Sequence, residues 1–420
     1  MSPCHVAATS TMRRARTSVA RFAASREPEE KAVRKNVTAI ALPLAFALSA
    51  PAAAAETLKI GAIATLSGAG TAWGMSIQGA AELAAEDVNS KGGLEVAGKK
   101  YTVEIVAYDD KYKAADALTA INRLIFDDRI KFVAGTVGSA PILAILPIST
   151  ENKVITMTMG FTPKALSAEY KYSFRPVLPS DVFSDPQIKW VVDKLGGKRV
   201  GGLFPNDESG QQVGAANEKA YEAVGAKFVA KEFFERERVD FVPLLTRVLA
   251  QNIDIFELNG NAPQTAGLLV KQLRELGFKG PIIRTGGDAT ADIVKVAGKA
   301  ATENVYVHQP IDLASPAIQQ YQKRFEDKYK IPLNAFSPFF HANMHMLFEA
   351  MRKSGTVTDT DKVREAMLSL KDFDTVLGKV SWTGQEQWKS NQQLDAPFYV
   401  AVIKDGQPVV VAKCTPAKCQ

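Results

Sequence analysis

Short apolar strands alternate with helical segments along most of this chain, and this alternation restricts the possible folds more than any other feature. A first series has predicted strands at Leu58–Ala64, Tyr101–Tyr108, Ile130–Thr136 and Val154–Met159. A second series follows Arg175-Pro176, with predicted strands at Arg199–Phe204, Lys227–Phe233, Ile253–Leu258 and Pro281–Thr285. Strands that alternate with helices form parallel sheets with helices on both faces. The pattern therefore predicts an α/β protein with two doubly wound lobes, each built on a parallel central sheet.

The part of the chain after about residue 304 is too short for a third domain of its own. Its predicted helices and strands must therefore be shared between the two lobes, and the chain must cross between the lobes several times. We predict a hinge of several strands with a ligand cleft beside it. We assign residues 56–176 and 306–386 to lobe 1, residues 177–305 and 387–413 to lobe 2, and residues 414–420 to a C-terminal tail.

Residues 31–55 have the pattern of a secretory signal peptide, and we assign residues 1–55 to it, although residues 1–30 make its basic region unusually long. Lys31, Arg34 and Lys35 form a basic region, Val37–Ala50 is apolar, and Pro51–Ala55 consists of small residues. This order is typical of export signals, and the apolar stretch is shorter than the roughly 20 residues of a membrane span. We expect cleavage after Ala55, no lipid anchor and a periplasmic location. The alternative is a buried N-terminal helix.

The excess of basic residues lies almost entirely in this predicted signal. The whole chain has 51 basic and 45 acidic residues, a net charge of +6. The first 55 residues hold 8 of the basic and 3 of the acidic residues, so the remaining 365 contain 43 and 42. A nearly neutral mature chain gives no argument for binding nucleic acid.

The mature chain keeps two cysteines, Cys414 and Cys419, both at its C-terminus. A close pair in an oxidising compartment is typical of a small disulfide loop. A metal site would need further ligands, and none stands nearby in the sequence. We predict a disulfide that fixes the C-terminal tail.

Loops that follow strands are the places to search for a ligand site, because open α/β sheets bind ligands at the carboxyl ends of their strands. In lobe 1 these loops carry Trp73 in a glycine-rich segment, Ser139 and Ala140 before a helix, and Gly160, Phe161 and Thr162. Backbone N–H groups at a helix N-terminus, with a hydroxyl beside them, bind a carboxylate well. The alternatives are an ordinary serine helix cap at Ser139 and a plain turn at Thr162.

The corresponding loops of lobe 2 each contain an acidic residue. They are Asn206–Gly210, Glu257–Asn261 and Thr285–Asp288. An acid at such a place can pair with a ligand ammonium group. The alternative is that these acids are solvated or cap the next helix, as the position of Asp288 suggests.

Signatures of an enzyme are weak. The glycines of Gly68–Gly74 do not have the G-x-G-x-x-G spacing of a dinucleotide site, so a secreted nucleotide-dependent oxidoreductase is a minor alternative. His341 and His345 stand four residues apart on one predicted helix, but the sequence offers no evident third metal ligand. We therefore predict no catalytic residues, no metal and no cofactor.

Several segments resemble the type I periplasmic binding proteins of the branched-chain amino acid (Leu/Ile/Val) receptor family. The resemblance covers residues 58–412. It is carried by Ile60-Gly61-Ala62, Leu66-Ser67-Gly68, Trp73-Gly74, Asp87-Val88-Asn89-Ser90-Lys91-Gly92-Gly93-Leu94, Tyr108-Asp109-Asp110 and Leu377-Gly378-Lys379-Val380. It implies a receptor whose lobes close on the carboxylate and ammonium groups of an amino acid.

The resemblance also assigns individual residues. Ser139 matches the serine at the helix N-terminus, Gly160 and Thr162 match the next backbone and hydroxyl contacts, and Trp73 matches an aromatic wall. In lobe 2, Ser209 and Asn261 stand where the family has tyrosines. Gly286 stands where the family has its ammonium-binding glutamate, although Asp288 is two residues further on and Arg284 is near.

The resulting prediction is a monomeric receptor, not an enzyme, that serves an ABC permease in the inner membrane. The expected ligand is a small carboxylated solute, with an amino acid of the branched-chain type as the first candidate. An aromatic or aliphatic carboxylate without an ammonium group is the alternative, because the second lobe departs from the family pattern. A sensing role instead of transport also remains open.

Overall fold

The computed structural model describes residues 55–420, so the predicted signal peptide, apart from Ala55, lies outside the described residues. The strands are β1 Glu56–Ala64, β2 Leu94–Val96, β3 Lys99–Asp109, β4 Phe132–Val137, β5 Ile155–Met159, β6 Ser173–Phe174, β7 Arg199–Pro205, β8 Lys227–Phe234, β9 Ile255–Glu257, β10 Ile282–Arg284, β11 Val305–Gln309, β12 Phe373–Thr375, β13 Gly378–Thr383, β14 Gln393–Asp395, β15 Phe398–Lys404 and β16 Gln407–Cys414. The helices are α1 Thr71–Asn89, α2 Ala114–Asn122, α3 Ser139–Glu151, α4 Ser180–Leu195, α5 Glu208–Ala223, α6 Val242–Leu249, α7 Pro263–Glu275, α8 Thr290–Ala297, α9 Lys299–Thr302, α10 Pro316–Tyr329, α11 Ser337–Ser354, α12 Thr360–Leu368 and α13 Gln385–Trp388.

Two separate sheets form the centres of the two lobes. The first has six strands in the order β2-β3-β1-β4-β5-β6, and all its pairs are parallel except β2 with β3. The second has seven strands in the order β16-β15-β11-β10-β9-β7-β8, with β15 and β16 antiparallel. The predicted α/β architecture with two lobes is confirmed.

A small third sheet, β12-β13-β14, lies where the chain passes between the lobes. Arg175 pairs with Gln393 in an isolated parallel bridge, and the Leu394 N–H donates to the Arg175 carbonyl at 3.0 Å. The strand β11 belongs to the seven-stranded sheet, so the passage out of lobe 2 follows Gln309. The predicted division at 305/306 falls at the start of this strand, and the exact lobe boundaries stay a prediction.

Some elements differ from those the sequence pattern predicts. The sequence pattern predicts the first helix over Ser76–Asn89, but α1 begins at Thr71, so Trp73 lies in the first helical turn and not in a loop. The helix α4 and the strand β11 were not predicted at all. Pro186 inside α4 and the short length of β11 obscure their patterns.

The C-terminal cysteines lie side by side at the end of β16. Cys414 and Cys419 have Sγ atoms 1.95 Å apart and Cα atoms 4.0 Å apart. The two cysteines are thus adjacent, and the disulfide itself stays a prediction. Among residues 55–420, no helix has the length and apolar character needed to cross a membrane.

Each lobe has a glycine that brings a helix N-terminus against the end of a strand. A Cβ atom on Gly74 of α1 would lie 1.9 Å from the Thr65 carbonyl oxygen, just after β1. A Cβ atom on Gly210 of α5 would lie 1.9 Å from the Pro205 carbonyl oxygen, at the end of β7. Only glycine permits these approaches, which place the starts of both helices at the edge of the sheet where ligands bind.

We predict that Gly74→Ala destabilises the protein by about 1–3 kcal/mol, because the new methyl group forces the backbone of α1 away from Thr65. Gly214→Ala is the matched control, since its Cβ would have only ordinary contacts, 3.6 Å or more from the Phe204 ring. The control should be stabilised by roughly 0.4–1 kcal/mol through the unfolded state. Urea unfolding followed by circular dichroism measures both, and equal stability of the two variants would contradict the close approach.

Candidate functional site

The two lobes meet where α3 and α5 begin. The Ser139 N–H donates to the Ser209 Oγ at 2.8 Å, and the Tyr112 hydroxyl donates to the same Ser209 oxygen at 3.1 Å. Ser139 and Tyr112 belong to the first lobe, and Ser209 belongs to the second. The predicted site residues Ser139 and Ser209 are therefore brought together in the cleft.

Ser139 is the first residue of α3, a helix of 13 residues. Its side chain is fully buried, and its Oγ has no hydrogen-bond partner among the described residues. The preceding Gly138 has a φ of 93°, which lets the chain turn sharply from β4 into the helix. Ala140 follows Ser139 in the same first turn. A bare hydroxyl at a helix N-terminus is suited to an anionic oxygen.

An aromatic pair forms the wall beside this helix start. The Trp73 and Tyr112 rings lie 5.8 Å apart, and the Trp73 Nε1 is buried with no partner among the described residues. The Arg236 guanidinium lies 4.2 Å from the Tyr112 ring centre and also pairs with Asp207. Burial raises the pKa of Tyr112, so its hydroxyl remains a hydrogen-bond donor at neutral pH. Sequence reasoning missed Tyr112 and Arg236, although Tyr112 directly follows the Asp109-Asp110-Lys111 loop.

The third loop of lobe 1 carries Gly160, Phe161 and Thr162. Gly160 lies beside Gly138, because a Cβ on Gly160 would be 3.8 Å from the Gly138 carbonyl carbon. Thr162 is fully buried, and its Oγ1 accepts the Lys164 N–H at 3.2 Å. Its carbonyl accepts from the buried Arg175 guanidinium at 2.9 Å. Among the described residues, the Thr162 hydroxyl thus has this one hydrogen-bond partner, and its proton is available to donate to a ligand.

Arg284 holds the loops of lobe 2 together from inside. Its guanidinium is fully buried and donates to the carbonyls of Asn261 at 2.9 Å, Gly287 at 2.8 Å and Leu258 at 3.4 Å. Burial lowers the pKa of Arg284 to about 10, so it remains a cation at neutral pH. This positive charge lies directly behind the loops that face the cleft.

Asn261 is also part of this internal framework. Its Nδ2 donates to the carbonyls of Leu203 and Leu258, each at 2.9 Å, while its Oδ1 has no partner among the described residues. Gly287 lies against lobe 1, since a Cβ there would be 3.3 Å from the Phe161 ring. Phe161 in turn packs edge-on against Phe183 at 5.6 Å. Lobe 2 thus offers the Asn261 amide oxygen and an aromatic contact, in place of the two tyrosines that the resemblance expects.

Every acid in the three predicted loops of lobe 2 already has partners. Asp288 accepts the Thr290 N–H at 3.0 Å and the Ala335 N–H at 2.7 Å. Glu257 accepts three backbone N–H groups and the hydroxyls of Tyr221 and Thr285. Asp207 pairs with Arg236, and Glu208 pairs with Lys164 at 3.1 Å. A ligand ammonium group would have to compete with these bonds.

Gly286, at the position of the family glutamate, has no room for a side chain. A Cβ atom would lie 2.3 Å from the Phe183 ring, and the residue has a φ of 85°. Both the lack of space for a side chain and the positive φ favour glycine at this position. No carboxylate can therefore reach the cleft from residue 286.

A cavity of about 610 Å³ opens beside Tyr112 on the outer side of the cleft. Its walls come from both lobes and carry charges of both signs, among them Lys111, Arg236, Asp207 and Glu237. None of the nine predicted ligand residues lines it. Tyr112 borders this cavity and also contacts Ser209 beside the start of α3.

The chain matches the family model of the periplasmic binding proteins over residues 57–408. It is 27% identical over 350 residues to the Leu/Ile/Val-binding protein BraC3 of Rhizobium johnstonii, covering 83% of this chain and 92% of that protein. The chain belongs to the periplasmic binding protein family, in its type I group of branched-chain amino acid receptors.

Solved structures have the same fold at lower identity. LivJ from Streptococcus pneumoniae, in complex with isoleucine, has a TM-score of 0.74 at 22% identity and covers 86% of this chain and all of its own. A solute-binding protein from R. palustris in complex with benzoate has a TM-score of 0.72 at 18% identity, with coverage of 87% and 97%. One fold therefore accommodates both an amino acid and an aromatic acid.

We predict that Asp288→Ala destabilises the ligand-free protein by about 1–3 kcal/mol, because it leaves buried N–H groups of Thr290 and Ala335 without an acceptor. Asp312→Ala is the control, since this exposed acid accepts one N–H, from Ala314 at 2.9 Å. The control should change the stability by less than about 0.5 kcal/mol. Urea unfolding measures both. Unchanged stability of Asp288→Ala together with lost ligand binding would instead make Asp288 a direct ligand contact.

Proposed function

We propose that this chain is a periplasmic receptor, not an enzyme, that closes its two lobes on one small carboxylated solute and delivers it to an ABC permease in the inner membrane. We expect it to act as a monomer. The observation that carries the proposal is the buried, unpartnered Ser139 Oγ at the N-terminus of α3, at the contact between the lobes. A ligand carboxylate can accept from this hydroxyl and from the backbone N–H groups of Ser139 and Ala140.

An amino acid of the branched-chain type is the first candidate ligand. Relatives along most of the chain carry Leu/Ile/Val-binding names, and the residues assigned to the carboxylate side, Ser139 and Thr162, are present. Trp73 and Phe161 supply apolar walls for an aliphatic side chain. Ser209 and Asn261 replace bulky tyrosines, which leaves lobe 2 more space at the far end of the ligand.

A carboxylate without an ammonium group is the second candidate, and the state of the acids in lobe 2 favours it. Gly286 offers no carboxylate, and Asp288 already accepts two backbone N–H groups. The buried cation of Arg284 adds positive potential behind the same loops. The nearby acids Asp288 and Glu257 partly balance this cation, but both accept hydrogen bonds from the protein, so an ammonium group would have to compete for them.

We predict that Ser139→Ala weakens the binding of the ligand by roughly 10- to 150-fold, because a hydrogen bond to a charged group contributes about 1.5–3 kcal/mol. Ser149→Ala is the matched control in the same helix, since Ser149 is buried and donates to the Leu146 carbonyl at 3.1 Å, far from the cleft. Titration calorimetry measures both affinities. Equal affinity of the two variants would remove Ser139 from the site.

Matched ligand pairs distinguish the two candidates. Leucine and isocaproate differ only in the ammonium group, as do phenylalanine and hydrocinnamate, and benzoate extends the aromatic set. If the ligand is an amino acid, leucine raises the unfolding temperature and isocaproate does not; if it is a simple carboxylate, the order reverses. A free ligand concentration of about 100 times the dissociation constant stabilises the native protein by about 2.7 kcal/mol, so a thermal shift detects binding readily. No shift with any carboxylate would contradict the proposed function.

A further inference from the structure

A cluster of three metal-ligand side chains lies far from the cleft, between α1 and α11. Asp87 Oδ2 is 2.8 Å from the His341 Nε2 and 3.0 Å from the His345 Nε2. The three ligand atoms lie within 4.8 Å of one another. Asp87 stands near the end of α1, about 20 Å along the helix from Trp73 at its start. The cluster is therefore separate from the ligand site.

We propose that Asp87, His341 and His345 form a binding site for a zinc ion. The histidines are one helical turn apart on α11, so both rings face the same side of the helix. Each ring directs its Nε2 to the same carboxylate oxygen, which supplies the third ligand from a different helix. Two imidazole nitrogens and one carboxylate oxygen are a ligand set that Zn²⁺ accepts, with a fourth position for water.

The two distances from Asp87 Oδ2 to the histidine nitrogens are near those that zinc requires, and the two Nε2 atoms lie no more than 4.8 Å apart. Ligand atoms about 2.1 Å from a tetrahedral ion lie roughly 3.4 Å apart. Asp87 Oδ2 must therefore move by only a few tenths of an ångström from each histidine when the ion replaces the two bridging protons. Small rotations of the Asp87 carboxylate and of the His345 side chain, which are 22% and 28% accessible, can provide this movement.

The charges around the cluster compensate for a cation. Arg324 donates to the other carboxylate oxygen of Asp87 at 2.5 Å, which fixes the orientation of the carboxylate and leaves Oδ2 facing the histidines. Arg324 also pairs with Glu86 at 3.2 Å, and Lys328 pairs with Glu86 and lies 3.9 Å from Glu82. Together with Asp87, these are three acids against two cations, so the cluster and its neighbours carry a net charge of −1. Hydrogen bonds to a ligating carboxylate are typical of metal sites.

One feature of the cluster limits the affinity. The Nδ1 of His341 is buried and has no hydrogen-bond partner among the described residues. A metal-bound histidine usually donates this N–H to an acceptor, and loss of such a partner costs about 10–100-fold in affinity. We therefore expect zinc to bind more weakly than at a site with a complete outer sphere. The bound ion would join α1 to α11 and stabilise lobe 1.

The test is a zinc titration of the mature chain, purified without a metal-affinity tag and treated with EDTA before dialysis. Calorimetry should show one zinc ion per chain, and zinc should raise the unfolding temperature while magnesium does not. His345→Ala should lower the zinc affinity by at least about tenfold, the lower limit for losing even an outer-sphere partner. Glu349→Ala, one turn further along α11, is the matched control and should bind zinc as the wild type does.

X-ray absorption of the zinc complex supplies a readout that fold stability does not affect. It should show scattering from two imidazole rings in the wild type and from one in His345→Ala. Absence of saturable zinc binding, or equal binding by the wild type and His345→Ala, would overturn the site. Neither result depends on the solute, so failure here leaves the proposed transport function untouched.

Discussion

The Arg284 guanidinium holds the cleft-facing side of lobe 2 together. Among the described residues, its hydrogen bonds go to backbone carbonyls and not to a carboxylate. Arg284 is fully buried and donates to carbonyls from the loop after β9 and from its own loop after β10. A buried cation is costly unless its donors are satisfied, and here backbone carbonyls satisfy them. The shape of these loops therefore depends on this guanidinium.

The two lobes contribute differently to the cleft. Lobe 1 provides directed hydrogen-bond donors: the Ser139 hydroxyl, the N-terminus of α3 and the Tyr112 hydroxyl. Lobe 2 provides Ser209, which accepts from both Ser139 and Tyr112 in the closed arrangement. A ligand carboxylate would accept from the same two donors and must displace Ser209 from them. Closure on a ligand is then favoured only if the ligand gains more from both lobes than these two hydrogen bonds supply.

Much of the fold could be predicted from the sequence, because alternation of strands and helices is a local property. The strands β7 and β8 were predicted to within one residue. The helix α4 was missed because it contains Pro186 and because polar and apolar residues are mixed on its buried face, which weakens the helical periodicity. The start of α1 was placed too late, because Gly70 and Gly74 look like loop residues. Gly74 is in fact required inside the helix by its approach to Thr65.

The site was less predictable, because its contacts join residues far apart in the sequence. Ser139 and Ser209 could each be found at the end of a strand, but their direct contact could not. Asp288 follows a strand as a ligand acid would, yet tertiary structure directs it to the N–H groups of Thr290 and Ala335. Asp87, distant in sequence from His341 and His345, completes a ligand set that the histidine spacing alone did not show.

The position of Gly286 links these observations to specificity. The Phe183 ring occupies the space in which a side chain at residue 286 would begin, so the ammonium contact that the resemblance expects cannot come from there. Phe183 is buried and packs on Phe161, the aromatic residue that reaches Gly287 across the cleft. Aromatic packing therefore stands where the resemblance expects an acidic group. This supports the proposal of an apolar anion as the second candidate ligand, since residue 286 offers an ammonium group no partner while the donors of lobe 1 remain.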